Sequence, residues 1–101
     1  MTPGLIDPHT HLVFAGERSR EFALKAAGAN YLDIHKAGGG IYATVDATRA
    51  AHFEDLVDRG RQNLDALLAW GVTTCEGKSG YALTTKGEIR LLEVLQVLDA
   101  C

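Results

Sequence analysis

The chain has 101 residues, of which 47% are hydrophobic and 23% charged, and its net charge is −3. This composition is typical of a globular domain and excludes a disordered segment, which would combine low hydrophobicity with high net charge. No apolar run approaches the length of a membrane span, and we expect no secretion signal and no basic stripe for nucleic acid or anionic lipid. We therefore expect the partner to be a small molecule.

The cysteine pattern indicates the compartment. Cys75 and Cys101 are far apart in the sequence and form no CxxC motif. We expect no structural disulfide, and a reducing compartment such as the cytoplasm then fits best. Cys75 is expected to pack as a small buried apolar group.

The first third of the chain predicts a strand followed by short helical pieces. Leu5–Asp7 is an apolar stub that predicts the end of a buried strand, closed by Pro8 because proline cannot donate to a central sheet ladder. The segments 21–29 and 31–36 predict short helical turns. The triple glycine at 38–40 interrupts them and indicates backbone with positive φ or a close approach to a neighbour.

The rest of the chain alternates helix, strand and helix. Apolar residues recur on one helical face from Phe53 to Trp70, and Gly71 follows as the expected stop. The β-branched segment 72–76 predicts a second strand. A last helix begins after Thr84 or Thr85 and is apolar on more than one face, so we expect it to be buried.

This order of elements is typical of α/β architecture with a parallel sheet. Two strands alone do not make a stable parallel sheet, because such a sheet needs several strands and cover on both faces. We therefore expect the chain to be a piece of a larger α/β domain, with about two strand–helix units.

The sharpest chemical signal is the segment Asp7-Pro8-His9-Thr10-His11. In extended backbone the two histidines lie on the same side, so both imidazoles can bind one metal ion. Imidazole suits zinc or iron, and the carboxyl end of a strand is where α/β barrels build their active sites. The alternative is an ordinary pair of polar loop histidines.

The segment PGLIDPHTHLVFAGER resembles the first barrel strand of the amidohydrolase superfamily. Joined to the elements AGGGI and KSGY, it makes nearly the whole chain resemble the imidazolonepropionase family. The resemblance implies that residues 1–101 are part of a (β/α)₈ barrel with a small β-rich domain. It also implies hydrolysis of the cyclic amide 4-imidazolone-5-propanoate to N-formimino-L-glutamate in histidine degradation, with bound zinc or iron.

The resemblance carries over to four residues. His9 and His11 match the two metal ligands of the family's HxH motif, whereas Arg18 after LVFAG and Tyr81 of KSGY match substrate-binding residues. The remaining metal ligands and the groups that move protons would lie beyond Cys101. We therefore expect the 101-residue chain to be inactive on its own.

Several other residues have less specific interpretations. Gly77 stands where the family pattern favours an apolar residue, and we expect a looser strand there. His35 and His52 are expected not to be ligands, and Trp70 is expected in the core. Asp7 and Glu76 are either carboxylates that support the site or solvated strand ends.

Two other functions remain open at this point. The first is another metal-dependent amidohydrolase or a deaminase that shares the HxH motif. Arg18 and Tyr81 weigh against it, since they match a substrate that carries a carboxylate. The second is a non-catalytic α/β fragment without metal. The sequence leaves open the native metal and whether the protein forms a homo-oligomer.

Overall fold

The computed structural model describes residues 1–100 and arranges them as a mixed α/β unit. The elements in chain order are β1 (Leu5–Thr10), α1 (Ser19–Ala26), α2 (Tyr31–Lys36), α3 (Ile41–Ala50), α4 (Phe53–Ala69), β2 (Val72–Gly77) and α5 (Thr85–Asp99). The predicted α/β class is confirmed, and a pair of parallel strands with helices after each is compatible with part of a barrel.

β1 and β2 pair in parallel, with Leu5 opposite Val72 and Thr10 opposite Gly77. The register shifts between Leu5 and Ile6 and again between Asp7 and Thr10. The prediction that Pro8 closes the strand is wrong, because β1 continues to Thr10. The second irregularity spans Pro8, whose missing N–H leaves one place in the ladder unfilled and is tolerated there.

The prediction of a buried first strand is also wrong for residues 1–100. Ile6 is 69% exposed and Leu5 is likewise exposed. Both pair with β2 through their backbones, but β2 is the one strand that the described residues place beside β1. A strand of a parallel sheet is buried only when neighbours and helices cover it.

The core lies between α4, α5 and the loop that follows β1. Leu12 and Val13 from that loop pack against α4 and α5, and α4 approaches α5 closely because Gly60 leaves room for Leu98. The buried members of this cluster are Leu12, Val13, Leu56, Ala82, Leu91, Val94 and Leu98. The loop that carries the candidate site residues is thus anchored in the best-packed part of the unit.

α4 and its stop are confirmed almost to the residue. Gly71 has φ +87°, the left-handed conformation that ends a helix and that glycine adopts without strain. The prediction of Trp70 in the core is wrong, because its side chain is 82% exposed. Trp70 is the C-cap of α4, one residue beyond the helix.

The segment between the strand–helix units is more helical than the sequence indicates. α1 begins at Ser19, two residues before the predicted segment, and it ends before Gly28, which has φ +96°. α2 has the predicted bounds and starts with a capping box between Asn30 and Asp33. α3 was not predicted, and it begins after Gly40, which has φ +83°.

Two sequence expectations concern β2. At Gly77 the missing side chain leaves no empty space, because a Cβ there would come within 2.7 Å of Leu95 on α5. That the strand is looser at Gly77 stays a prediction. Cys75 is a free thiol that is half-buried rather than buried. Cys101 lies outside the described residues. None of the helices described in residues 1–100 is long and apolar enough to cross a membrane.

Candidate functional site

His9 and His11 lie side by side where β1 ends. Their ring centroids are 5.4 Å apart, with the rings nearly perpendicular. This agrees with the same-side placement that a spacing of two residues gives in extended backbone. Two imidazoles that share a zinc ion at a tetrahedral angle, with Zn–N of about 2.1 Å, have ring centroids roughly 5 Å apart. The observed separation is therefore suitable for one shared ion.

The surroundings of His11 explain why glycine stands at position 80. A Cβ on Gly80 would lie 2.5 Å from Cε1 and 2.8 Å from Nδ1 of His11, so only glycine leaves room for the ring. The Nδ1 atom is buried and makes no hydrogen bond with the described residues. A buried polar atom without a partner costs about 1–3 kcal/mol, so a group that bound it would recover that free energy.

Tyr81 extends the pair into a row of rings. Its ring centroid is 5.1 Å from that of His11 and 5.8 Å from that of Phe14. The guanidinium carbon of Arg59 on α4 lies 5.9 Å from the centre of the Phe14 ring. Edge contacts of this kind hold aromatic rings in a fixed orientation, so the Tyr81 ring is braced on two sides.

The end of β1 and the loop that follows it are held by hydrogen bonds from α3, from α4 and from the residue after β2. The Thr48 hydroxyl of α3 accepts a hydrogen bond from the Ala15 N–H at 3.0 Å, and the Asn63 amide of α4 donates to the Leu12 carbonyl at 2.9 Å. The Lys78 N–H, just past β2, donates to the Thr10 carbonyl at 2.8 Å. These bonds fix the backbone on both sides of His11.

Glu88 organises the turn that carries Tyr81. Its Oε1 atom accepts hydrogen bonds from the N–H groups of Ala82 and Leu83, at 2.9 and 3.0 Å. Leu83 has φ +56°, a strained conformation for a leucine that these bonds help to maintain. Burial acts to raise the pKa of Glu88, but the Ser79 hydroxyl and the two N–H groups outweigh it, and the pKa is lowered.

Arg18 stands at the N-terminus of α1 and is paired with Glu21. Its Nε donates to Oε2 of Glu21 at 2.9 Å, and one terminal nitrogen lies 2.8 Å from the same oxygen. This hydrogen bond raises the pKa of Arg18, and the nearby phenols of Tyr81 and Tyr31 also raise it.

The two carboxylates that the sequence analysis placed near strand ends have separate partners. Asp7 lies within β1 and accepts a hydrogen bond from the His9 N–H at 3.1 Å, inside the register irregularity between Asp7 and Thr10. Glu76 lies 2.7 Å from the Lys78 ammonium, and the hydrogen bond from Lys78 lowers the pKa of Glu76. Glu76 is exposed, so this pair contributes little to stability.

The other histidines lie in different surroundings. The His35 ring is 5.3 Å from the Tyr31 ring and 5.7 Å from the Tyr42 ring. His52 is the residue before the first turn of α4. That neither binds a metal stays a prediction.

The donor set fits a metal ion in part. A catalytic zinc site takes three protein ligands and keeps a further position open. His9 and His11 supply two imidazoles at a suitable separation, and the orphaned nitrogen of His11 belongs to that pair. In residues 1–100 no group of three histidine, cysteine or carboxylate side chains is placed to hold an ion. The pair therefore fits as two ligands of a larger set.

Several residues of this site were not singled out from the sequence. Phe14, Asn63, Glu21 and Glu88 act through contacts with residues distant in the chain or across a loop, which no local pattern reveals. Gly80 had a signal, since it stands inside the KSGY element that the resemblance rested on. A glycine next to a candidate binding residue often marks a close approach of a neighbour, here the His11 ring.

Comparison with known proteins gives a consistent result. No family model matches the chain. The imidazolonepropionases of Alkaliphilus metalliredigens and Alkaliphilus oremlandii are 54% and 55% identical to it over 99 residues, which cover 98% of this chain and 24% of each relative. That of Caulobacter vibrioides is 56% identical over 98 residues, or 97% of this chain and 24% of the relative.

The resemblance inferred from the sequence is thus confirmed, and it extends over nearly all of the chain. The chain spans about a quarter of the length of the curated relatives that it matches.

Proposed function

We propose that this chain is a segment of an imidazolonepropionase and contributes the first residues of its active site. The chain aligns with about a quarter of each imidazolonepropionase compared. The reaction would be the hydrolysis of 4-imidazolone-5-propanoate to N-formimino-L-glutamate in histidine degradation. Water adds to the ring carbonyl carbon, and the ring C–N bond breaks. The complete enzyme would be a (β/α)₈ barrel, to which this chain contributes two strand–helix units.

One observation carries the proposal from geometry. The rings of His9, His11 and Tyr81 form a continuous row at the carboxyl end of two parallel strands. The carboxyl ends of parallel strands are where barrel enzymes place their reacting groups. These three residues, together with Arg18, are those that the sequence resemblance singles out.

His9 and His11 would hold a zinc or iron ion together with ligands from elsewhere in the enzyme. Such an ion supplies water activated at neutral pH and polarises the amide carbonyl. Neutral imidazoles suit this task because they leave the charge of the cation intact. The Asp7 carboxylate binds the His9 N–H, and the Lys78 N–H binds the carbonyl of Thr10 between the two histidines, so the backbone that carries both rings is fixed.

Arg18 and Tyr81 would bind the substrate. A guanidinium matches the two oxygens of the propionate group with parallel charge-assisted hydrogen bonds. The Tyr81 hydroxyl is a second donor, on a ring that Phe14 and His11 brace. Between them, the two side chains would hold the substrate so that its ring carbonyl faces the histidine pair.

We also propose a cytoplasmic enzyme with a small-molecule substrate. The free thiol of Cys75 agrees with a reducing compartment. Another amidohydrolase or a deaminase would use the same histidine pair, but Arg18 and Tyr81 match a substrate with a carboxylate.

The test is an activity assay on the full-length protein that carries this chain. Purified protein loaded with zinc or iron should consume 4-imidazolone-5-propanoate, followed by loss of its ultraviolet absorbance, and should form N-formimino-L-glutamate. Chelation should abolish the reaction and added metal should restore it. Turnover of other cyclic amides or of aminopurines, with none of the imidazolone, would contradict the proposal.

A further inference from the structure

We infer that Glu21 is a positioning residue, which fixes the guanidinium of Arg18 and connects it to the glycine run 38–40. This inference rests on the proposed role of Arg18 as the substrate-carboxylate ligand. Nothing in the sequence resemblance assigned a function to Glu21. Its two carboxylate oxygens make contacts in two different directions, one toward Arg18 and one toward Gly40.

One oxygen of Glu21 engages one edge of the arginine. Oε2 accepts from Nε at 2.9 Å and lies 2.8 Å from a terminal nitrogen of the same guanidinium. A guanidinium has five N–H donors in a planar fork, so this contact leaves three of them available. The remaining donors include the second terminal nitrogen, and they are enough for a bidentate contact with a carboxylate.

The other oxygen of Glu21 engages the glycine run. Oε1 accepts a hydrogen bond from the Gly40 N–H at 2.6 Å, across 19 residues of sequence. Gly39 lies so close that a Cβ there would come within 2.7 Å of Oε1 and 2.8 Å of the Ile34 side chain. The absence of a side chain at position 39 is therefore what allows the loop to close on the carboxylate.

These contacts distinguish Glu21 from an ordinary surface partner. Exposed ion pairs spaced three residues apart on a helix, such as Asp58 with Arg61, are usually worth very little. The Glu21 side chain is only 12% exposed, whereas that of Arg18 is 39% exposed. The carboxylate is enclosed between the helix and the loop, and the arginine above it still reaches the surface.

The charge of Glu21 is favoured by its surroundings. The hydrogen bond from Arg18 lowers the pKa of Glu21, and the Gly40 N–H lowers it further. Glu21 also lies in the first turn of α1, where the helix dipole favours an anion. The pair is therefore ionised at neutral pH, and the arginine is held in one orientation before the substrate arrives.

An anion beside Arg18 also repels a substrate carboxylate. Glu21 occupies the edge formed by Nε and one terminal nitrogen, so a substrate carboxylate would use the adjacent edge formed by the two terminal nitrogens. Preorganisation of the long arginine side chain then outweighs the repulsion, because a mobile arginine loses rotamer freedom each time it binds. The change in KM when Glu21 is removed measures which of these two effects is larger.

The experiment uses the full-length, metal-loaded protein and steady-state kinetics with 4-imidazolone-5-propanoate. Glu21→Ala should raise KM by about tenfold and change kcat by less than about twofold, because the reacting groups are untouched. Glu21→Gln, which keeps an acceptor for Gly40, should raise KM by only about threefold. In an Arg18→Gln background, Glu21→Ala should have little further effect on KM, as expected for residues that act through one another.

The matched control is Asp58→Ala, which removes the acid of the exposed pair on α4 and should keep the wild-type KM. A wild-type or lower KM in Glu21→Ala, or an equal effect of that change in the Arg18→Gln background, would overturn the inference. If Glu21→Ala does not fold, the KM values of Glu21→Gln and Glu21→Asp provide the test. A wild-type KM in both variants would overturn the inference. Failure of Arg18→Gln itself to raise KM would instead refute the substrate role of Arg18.

Discussion

His9, His11 and Arg18 are proposed to have separable roles, and substitution can separate them. In the full-length protein, His9→Ala or His11→Ala should lose metal and activity together, with metal affinity at least about 100-fold weaker, because the remaining ligands are too few. Arg18→Gln should keep its metal, since the guanidinium is paired with Glu21 and not with the imidazoles. Elemental analysis measures the metal content of the purified histidine and arginine variants. Loss of metal in Arg18→Gln, or its retention in both histidine variants, would contradict these roles.

Glu88 gives the stability of the protein a predictable dependence on pH. Its pKa is lower in the folded state than the ordinary value of about 4.3, so its contribution is complete above that value. The contribution is lost as pH falls through the lowered folded pKa. Glu88→Gln should therefore be less stable than wild type at pH 6, and the difference should shrink toward pH 3.

Urea unfolding of the metal-free full-length protein, followed from pH 6 to pH 3, measures this difference. Wild type and variant should approach each other as the pH falls through the lowered pKa of Glu88, because the carboxylate then takes up a proton and loses its charge. A constant difference across the whole range would show that the loss in Glu88→Gln comes from packing and not from the carboxylate charge.

At the scale of single residues, the sequence predicts those contacts that depend only on the local geometry of the backbone. The closeness of His9 and His11 follows from strand periodicity alone, and the ring separation agrees with it. The contact between His11 and Tyr81 joins positions 70 residues apart and depends on the parallel pairing of two strands. The link from Glu21 to Gly40 depends on how a glycine loop folds back, which no periodicity encodes.

At the scale of the elements, α4 offers a direct test of which face is buried. Leu56 is fully buried in the contact with α5, whereas Leu68 on the same helix is 62% exposed. Leu56→Ala should destabilise the full-length protein by about 2–5 kcal/mol, because it removes buried methyl groups and leaves a cavity. Leu68→Ala is the matched control, and its expected effect on this unit alone is about 0.5 kcal/mol or less.

Chemical denaturation of both variants gives the loss in the free energy of unfolding that each substitution causes. A loss of less than about 1 kcal/mol in Leu56→Ala would contradict the packing described for residues 1–100, because Leu56 is fully buried within them. The sequence pattern placed both leucines on one apolar face, and only the structure separates them.

The elements also show where sequence patterns fail. α4 was predictable because its apolar stripe and glycine stop are both strong signals. α3 was missed because Ile41, Thr44, Val45 and Thr48 are β-branched and have low helix propensity. Tertiary packing outweighs that propensity, since the buried Thr48 hydroxyl holds the loop after β1 through Ala15.

At the scale of the whole molecule, residues 1–100 form an open and rather flat unit, with extents of 45 × 37 × 19 Å. The radius of gyration is 15.3 Å, against about 13 Å for a compact domain of this length. The accessible surface is 7072 Å², where a folded monomer of this mass has about 5,600 Å². Apolar side chains on α5, among them Ile89 and Leu92, account for part of the excess.

The 101-residue chain expressed by itself should therefore associate or fold only in part. Exposed apolar helix faces and unpaired strand edges favour contacts between molecules. Sedimentation and thermal unfolding at several concentrations should give a concentration-dependent mass and a broad transition. A monomer with a sharp, cooperative transition that does not change with concentration would contradict this expectation.

The decisive measurement compares two substrates in the full-length protein. We predict that wild type hydrolyses 4-imidazolone-5-propanoate far better than an analogue without the carboxylate, and that Arg18→Gln loses this preference. The lost charge-assisted pair should cost about 2–4 kcal/mol, or roughly 30- to 1,000-fold in kcat/KM for the natural substrate. The analogue should be hydrolysed equally poorly by both proteins. If Arg18→Gln keeps the wild-type preference for the carboxylate, Arg18 does not bind the substrate and the proposed site is wrong.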